Sequence, residues 1–312
     1  MGVVLDSVRE FLPELREVSI SPEAVARLAA DPRLHRRPSW DGFHYRAPGA
    51  EEMANYLLMQ DSIAFCFWGD PPWEVEYRGR HFRGYHALVA ALRRSIEVGC
   101  PLPDPGYLRE LTLEDLHFIL RGRGELKLLR ERLECLREVG EVLTRQFGGS
   151  FLRAVEEAGY EVPSLLELLV SSFPSFDDRA FVDGREVVFH KRAQLLIADL
   201  HGALGDALPL RGLEELTAFA DYQLPALLRE KGVLSYSPSL AARVDAGEEL
   251  PAGSREEVEI RAATVQAVEM LREALSRRGI SLRSFEVDWL LWDWSQEEPP
   301  SRPHHRTVTT GY

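Results

Sequence analysis

Three short stretches of this chain gather side chains with chemical potential. Asp221 lies in Phe219-Ala220-Asp221-Tyr222-Gln223-Leu224-Pro225, and His190-Lys191-Arg192 sets cationic groups in a row. Asp288-Trp289-Leu290-Leu291-Trp292-Asp293 places carboxylates beside flat aromatic surfaces. A carboxylate held against an electrophilic carbon supports a cationic transition state. Cations at the start of a helix suit an anion such as phosphate. Carboxylates beside aromatic rings suit a planar base that presents NH donors. By residue type alone, each stretch also has a plainer reading. Asp221 is a capping or solvated aspartate, Lys191 an exposed lysine, and 288–293 an amphipathic helix with core tryptophans.

The elements that must position these groups are mostly helical. Leu213, Leu216 and Phe219 recur at helical spacing before Asp221, and Pro225 disrupts a regular helix, so Asp221 is expected near a helix end. A helix over 191–204 begins with Lys191, and a helix over 288–294 puts Trp289 and Asp293 on one face at i, i+4. The best-defined helix follows Ser254 and Glu257, a capping-box pair. Ile260, Thr264, Val268, Leu271 and Leu275 then recur at helical spacing until Gly279. Further helical patterns cover 22–30, 51–63, 86–98, 113–120 and 126–146. Two hairpins interrupt them. One has Trp73, Val75 and Tyr77 alternating with glutamates, and the other turns at Asp183-Gly184. Residues 243–254 read as a surface loop and 297–303, with three prolines, as an extended tail. The expected fold class is mainly α with short β-hairpins.

A length of 312 residues fits one catalytic domain over 1–312, with two closely packed helical lobes as the alternative. Apolar runs such as 165–170 are far shorter than the roughly 20 residues a membrane helix needs, so no membrane association is expected. The N-terminal residues mix acidic and basic groups and lack a secretory pattern, which predicts a cytoplasmic protein. Cys66, Cys100 and Cys135 form neither a CxxC pair nor a disulfide framework, and the nine histidines show no ligand spacing, so no metal is assigned. Phosphate-loop, dinucleotide, serine-hydrolase and zincin motifs are absent. A formal charge of -13 disfavours direct nucleic-acid binding and favours a small ligand.

Several segments, taken in order, resemble the queuosine salvage protein family. They are Ser62-Ile63-Ala64-Phe65-Cys66-Phe67-Trp68, His190-Lys191-Arg192-Ala193-Gln194, 219–225, Glu257-Val258-Glu259-Ile260-Arg261, 288–293 and the terminal His305-Arg306. The resemblance runs from about residue 40 to the C-terminus. It implies a helical fold similar to the helix-hairpin-helix DNA glycosylases, although no LPGVG-type hairpin is present. It also implies hydrolysis of queuosine 5'-phosphate to queuine and ribose 5-phosphate without a cofactor. Asp221 then becomes the catalytic carboxylate, nucleophile or electrostatic stabiliser, with Phe219 packing on base or sugar. Asp288, Trp289 and Asp293 match base-binding positions, and His44, in Gly42-Phe43-His44-Tyr45, is a weaker match for the same pocket. Lys191 is the first choice for the 5'-phosphate, Arg261 the next, with an ion pair to Glu257 or Glu259 as its competing role, and Lys231 a reserve. A non-catalytic binder or carrier of deazaguanine-type nucleotides is the alternative function, and a helical interaction module without a ligand a third.

Overall fold

The computed structural model describes residues 2–40 and 43–312. Gly42, in the His44 stretch, lies outside them. The protein is mainly α-helical, with three two-stranded antiparallel sheets among the described residues. It divides into two compact units, the first comprising the chain up to Ser39, Asp178–Gln194 and Gly212–Val308. The second comprises Trp40–Asp177, Leu195–Arg211 and Thr309–Tyr312.

The first unit is organised by the helix Arg255–Ser276. Val258, Ile260, Ala262, Ala263, Val265, Ala267, Val268, Leu271 and Leu275 are all buried, a wider set than one stripe. A helix buried on nearly every side belongs in an interior, and here the burial extends to Glu257, Glu259, Arg261 and Glu269. It packs against helices Pro22–Leu28, Gln223–Glu230 and Ser284–Glu297 around one core, and against Val3–Phe11 and the strand Arg179–Val182 at a second. Ser254 Oγ accepts the Glu257 N–H at 3.4 Å, as the capping pattern predicts. The reciprocal half differs, because the Glu257 carboxylate takes the Gly253 N–H at 3.1 Å. The helix stops where Gly279 adopts φ +81°, a conformation that costs glycine little.

The Asp183-Gly184 hairpin forms as expected, with both turn residues at positive φ and strands Arg179–Val182 and Arg185–Val188 paired across it. A second ladder, Val18–Ile20 against Leu234–Tyr236, lies outside the sequence expectations. Its strands are three residues long and far apart in the chain, too short to show alternation. The loop expected over 243–254 is shorter than that, since Arg243–Asp245 finish the helix Pro238–Asp245. A helix leading into Asp221 is also absent. Leu213–Glu215 form a single 3-10 turn, and the chain from there to Asp221 has no regular secondary structure. Pro225 opens the next helix instead of breaking one, because the first turn of a helix needs no N–H from it.

The second unit carries helices Ala50–Ser62, Gly84–Glu97, Leu113–Ile119 and Leu129–Gln146 near their expected positions. The last starts after Leu128, whose φ of +59° interrupts the pattern begun at Leu126. The expected hairpin pairs Glu74–Tyr77 with Arg80–Arg83 and buries Trp73, Val75 and Tyr77. The segment 63–66 is fastened by Arg132, which is fully buried and donates to the carbonyls of Ile63, Phe65 and Cys66 while lying 4.3 Å over the Phe65 ring. Among the described residues, no helix is long and apolar enough to cross a membrane.

Candidate active site

Asp221 immediately precedes the helix Gln223–Glu230, and its Oδ1 accepts the N–H groups of Gln223 at 2.8 Å and Leu224 at 3.0 Å. These donors have no partner inside the helix, so the carboxylate caps it and gains from the helix dipole. Burial nevertheless raises the Asp221 pKa above the usual carboxylate value, with Lys191, the two N–H groups and Arg261 opposing that rise. The irregular segment before it is tied down at Thr217, Phe219 and Ala220. Thr217 N–H donates to Gln194 Oε1 at 2.8 Å, Phe219 N–H to Asp288 Oδ1 at 2.7 Å, and the Ala220 carbonyl accepts Arg261 Nε at 3.1 Å. Those partners come from three of the other resembling segments, so the separate sequence motifs converge on one loop.

Asp288 is 3% exposed on the helix Ser284–Glu297. Burial first, and then the charge of Asp221, hold its pKa well above the ordinary range, against the Phe219 N–H and Lys191. The Asp221 charge thus makes Asp288 the less acidic of the two. Lys191 is buried at the first position of the helix Lys191–Leu204, as predicted, and its charge favours ionisation of both aspartates. Phe219 is buried beside them.

Arg261 belongs to the same cluster, with its donors directed at protein groups. It forms a two-pronged pair with Asp178, at 3.0 and 2.5 Å, reaches Glu257 at 3.5 Å, and lies 3.9 Å over the Phe189 ring. Glu259 turns elsewhere, accepting the N–H groups of Arg16, Glu17 and Val18. His305, also buried, has its pKa pushed down to about 3 by burial and by the charges of His304 and Arg261, which leaves it neutral. His304 is packed on Tyr222 with ring centroids 4.5 Å apart.

The remaining expected residues have other contacts, although the Asp293 charge also raises the Asp288 pKa. Trp289 is half-buried, edge-on to Phe285. Asp293 is exposed on a groove of about 180 Å³ with Arg33, Arg36, Arg37 and Trp294. Lys231 follows the far end of the helix that Asp221 caps, its ammonium 4.4 Å over Trp294. His44 belongs to the second unit, where it stacks on Trp40 at 4.2 Å. Asp178 was not anticipated, since an aspartate before a hairpin has no distinguishing spacing. No cluster of three or more metal-ligating side chains occurs among the described residues.

A buried carboxylate at a helix N-terminus, with a lysine and a second, less acidic carboxylate beside it, has the equipment of a hydrolase that works through a cationic sugar. Residues 43–312 match the family model described as queuosine salvage protein, and the chain belongs to that family. A Sphaerobacter thermophilus protein named queuosine 5'-phosphate N-glycosylase/hydrolase is 45% identical over 99% of this chain and 97% of its own. Proteins of the same name from Mus musculus and Dictyostelium discoideum are 34% and 36% identical, over 97% and 84% of this chain and 96% and 79% of theirs.

Proposed function

We propose that this chain hydrolyses the N-glycosidic bond of queuosine 5'-phosphate, releasing queuine and ribose 5-phosphate for salvage of the base toward tRNA modification. The observation that carries the reading is Asp221, a carboxylate held by a helix N-terminus in a buried, lysine-flanked position. As the C1'–N bond breaks, the bonding pair leaves with the base and positive charge develops on the sugar. The Asp221 carboxylate opposes that charge. Water supplies hydroxide to C1' and a proton to the departing base, which balances the reaction with no other co-substrate.

In this reading Asp288, with Oδ1 on the Phe219 N–H, presents its other oxygen to the base, while Trp289, Asp293 and Phe219 complete base recognition. The 5'-phosphate is assigned to Lys191, because the Arg261 donors are spent on Asp178, Glu257 and Ala220. The acidic total charge supports a free mononucleotide substrate over nucleic acid. The mainly helical build is compatible with kinship to the helix-hairpin-helix DNA glycosylases.

The capping bonds of Asp221 also suit the alternative, a non-catalytic binder of deazaguanine-type nucleotides, in which that aspartate is structural. Incubation with queuosine 5'-phosphate and chromatographic separation decides between them. Queuine and ribose 5-phosphate appear in equal amounts if the chain is the hydrolase. Substrate that is bound and recovered intact establishes the binder.

A further inference from the structure

Asp178 stands where two segments of the site meet. Its carboxylate is 7% exposed, accepts Arg261 Nη1 at 3.0 Å and Nη2 at 2.5 Å, and takes the backbone N–H of Lys191 at 3.2 Å. Its own carbonyl accepts the N–H groups of Phe189 and His190, both at 2.9 Å. One residue therefore fixes the chain on the approach to Lys191 through main chain and side chain together. Arg261 carries the connection onward, because its Nε holds the carbonyl of Ala220, the residue before Asp221. Burial pushes the Asp178 pKa up, but the Arg261 charge and hydrogen bonds, the Lys191 N–H and Arg192 outweigh it, leaving a firmly ionised partner for Arg261.

From this geometry we propose that Asp178 is a positioning residue for the glycosyl hydrolysis, setting Lys191 through its backbone and Asp221 through Arg261 and the Ala220 carbonyl. The proposal rests on the reading of Asp221 and Lys191 given above. Asp178 also acts electrostatically. Burial raises the Asp221 pKa, Lys191, the Leu224 and Gln223 N–H groups and Arg261 favour its ionised form, and its charge in turn raises the pKa of Asp288. His304 packs on the adjacent Tyr222, and neutral His305 lies near Arg261. Asp178 offsets the Arg261 charge, so its loss leaves more positive potential at Asp221 and makes that carboxylate more acidic.

The test compares kcat, KM and the acid limb of kcat/KM for the parent, Asp178→Asn and Arg261→Lys with queuosine 5'-phosphate. Asp178→Asn is expected to lower kcat about 10- to 100-fold, because small displacements of reacting groups cost that much. KM stays within about threefold, as for a loss confined to the transition state. The acid limb moves to lower pH by about half a unit or more. A folded Asp178→Asn enzyme with parental kcat overturns the proposal, and so does a lowered kcat with an unmoved limb, which marks a packing role only. Arg261→Lys keeps the charge but gives up the fork, so kcat falls about tenfold while the limb stays in place. If Asp178→Asn fails to fold, Arg261→Lys decides, and parental kcat there overturns the proposal. Asp221→Asn run in parallel separates the two levels, since parental activity in that variant sinks the reading of Asp221 itself.

Discussion

Replacing Asp221 by Asn removes one charge and little else, which makes it the sharpest perturbation of the site. The amide oxygen can still accept the Gln223 and Leu224 N–H groups, so the cap on the helix Gln223–Glu230 survives. What disappears is a negative charge facing the developing sugar cation, a contribution of about 3 kcal/mol in comparable sites, or roughly 150-fold in kcat. Stability should move the other way. Burial raises the folded-state pKa of Asp221 above its unfolded value. A carboxylate of this kind favours the folded state below the unfolded pKa, and that benefit is lost as pH rises through the folded pKa. Above the folded-state pKa the parent therefore bears the cost of an ionised buried group, and Asn relieves it. Single-turnover release of queuine, followed by chromatography, should fall by about two orders of magnitude while the melting temperature holds or rises. Turnover within about threefold of the parent would falsify the catalytic assignment. A marked drop in melting temperature would refute the argument that the cap is preserved.

Lys191→Met is expected to raise KM for queuosine 5'-phosphate much more than for unphosphorylated queuosine, and equal effects on both would remove Lys191 from the phosphate. Asp288→Ala orphans the Phe219 N–H, costing about 1–3 kcal/mol in urea-melt stability as well as queuine affinity, whereas exposed Asp293→Ala should lower affinity with a smaller loss of stability. Calorimetry showing unchanged queuine binding in both variants would move the base pocket elsewhere. In the second unit, Arg132→Met leaves the carbonyls of Ile63, Phe65 and Cys66 buried without their donor, so unfolding free energy should drop by about 3 kcal/mol or more. A loss under about 1 kcal/mol would show that the segment holds itself.

Helical periodicity is a local signal, and the elements it describes were correspondingly legible. The stripe from Ile260 to Leu275, the Lys191 helix and the Asp183-Gly184 hairpin all form where their spacing places them. The Asp221 approach was misread for a related reason. Leu213, Leu216 and Phe219 match a helical period, but the segment is held in a non-helical course by long-range anchors: Gln194 on Thr217, Asp288 on Phe219 and Arg261 on Ala220. Those anchors lie 23, 69 and 41 residues away, beyond the reach of any window. Pro225 was ambiguous because the same ring that breaks a helix interior starts a first turn without cost.

The same limit explains the uneven picture of the site. Aspartate, lysine and arginine could be nominated from their motifs, yet whether a charged group faces a ligand or another charged group depends on what the fold puts opposite it. Arg261 lay within reach of Glu257 on its own helix, a pair visible at i, i+4. Its bidentate partner was Asp178, 83 residues earlier in the chain. A buried guanidinium requires such a partner, since a charge desolvated alone costs several kcal/mol. Finding Arg, Glu and Asp buried together thus marks a framework that fixes the loop beside it, and the loop it fixes here is the one that carries Asp221.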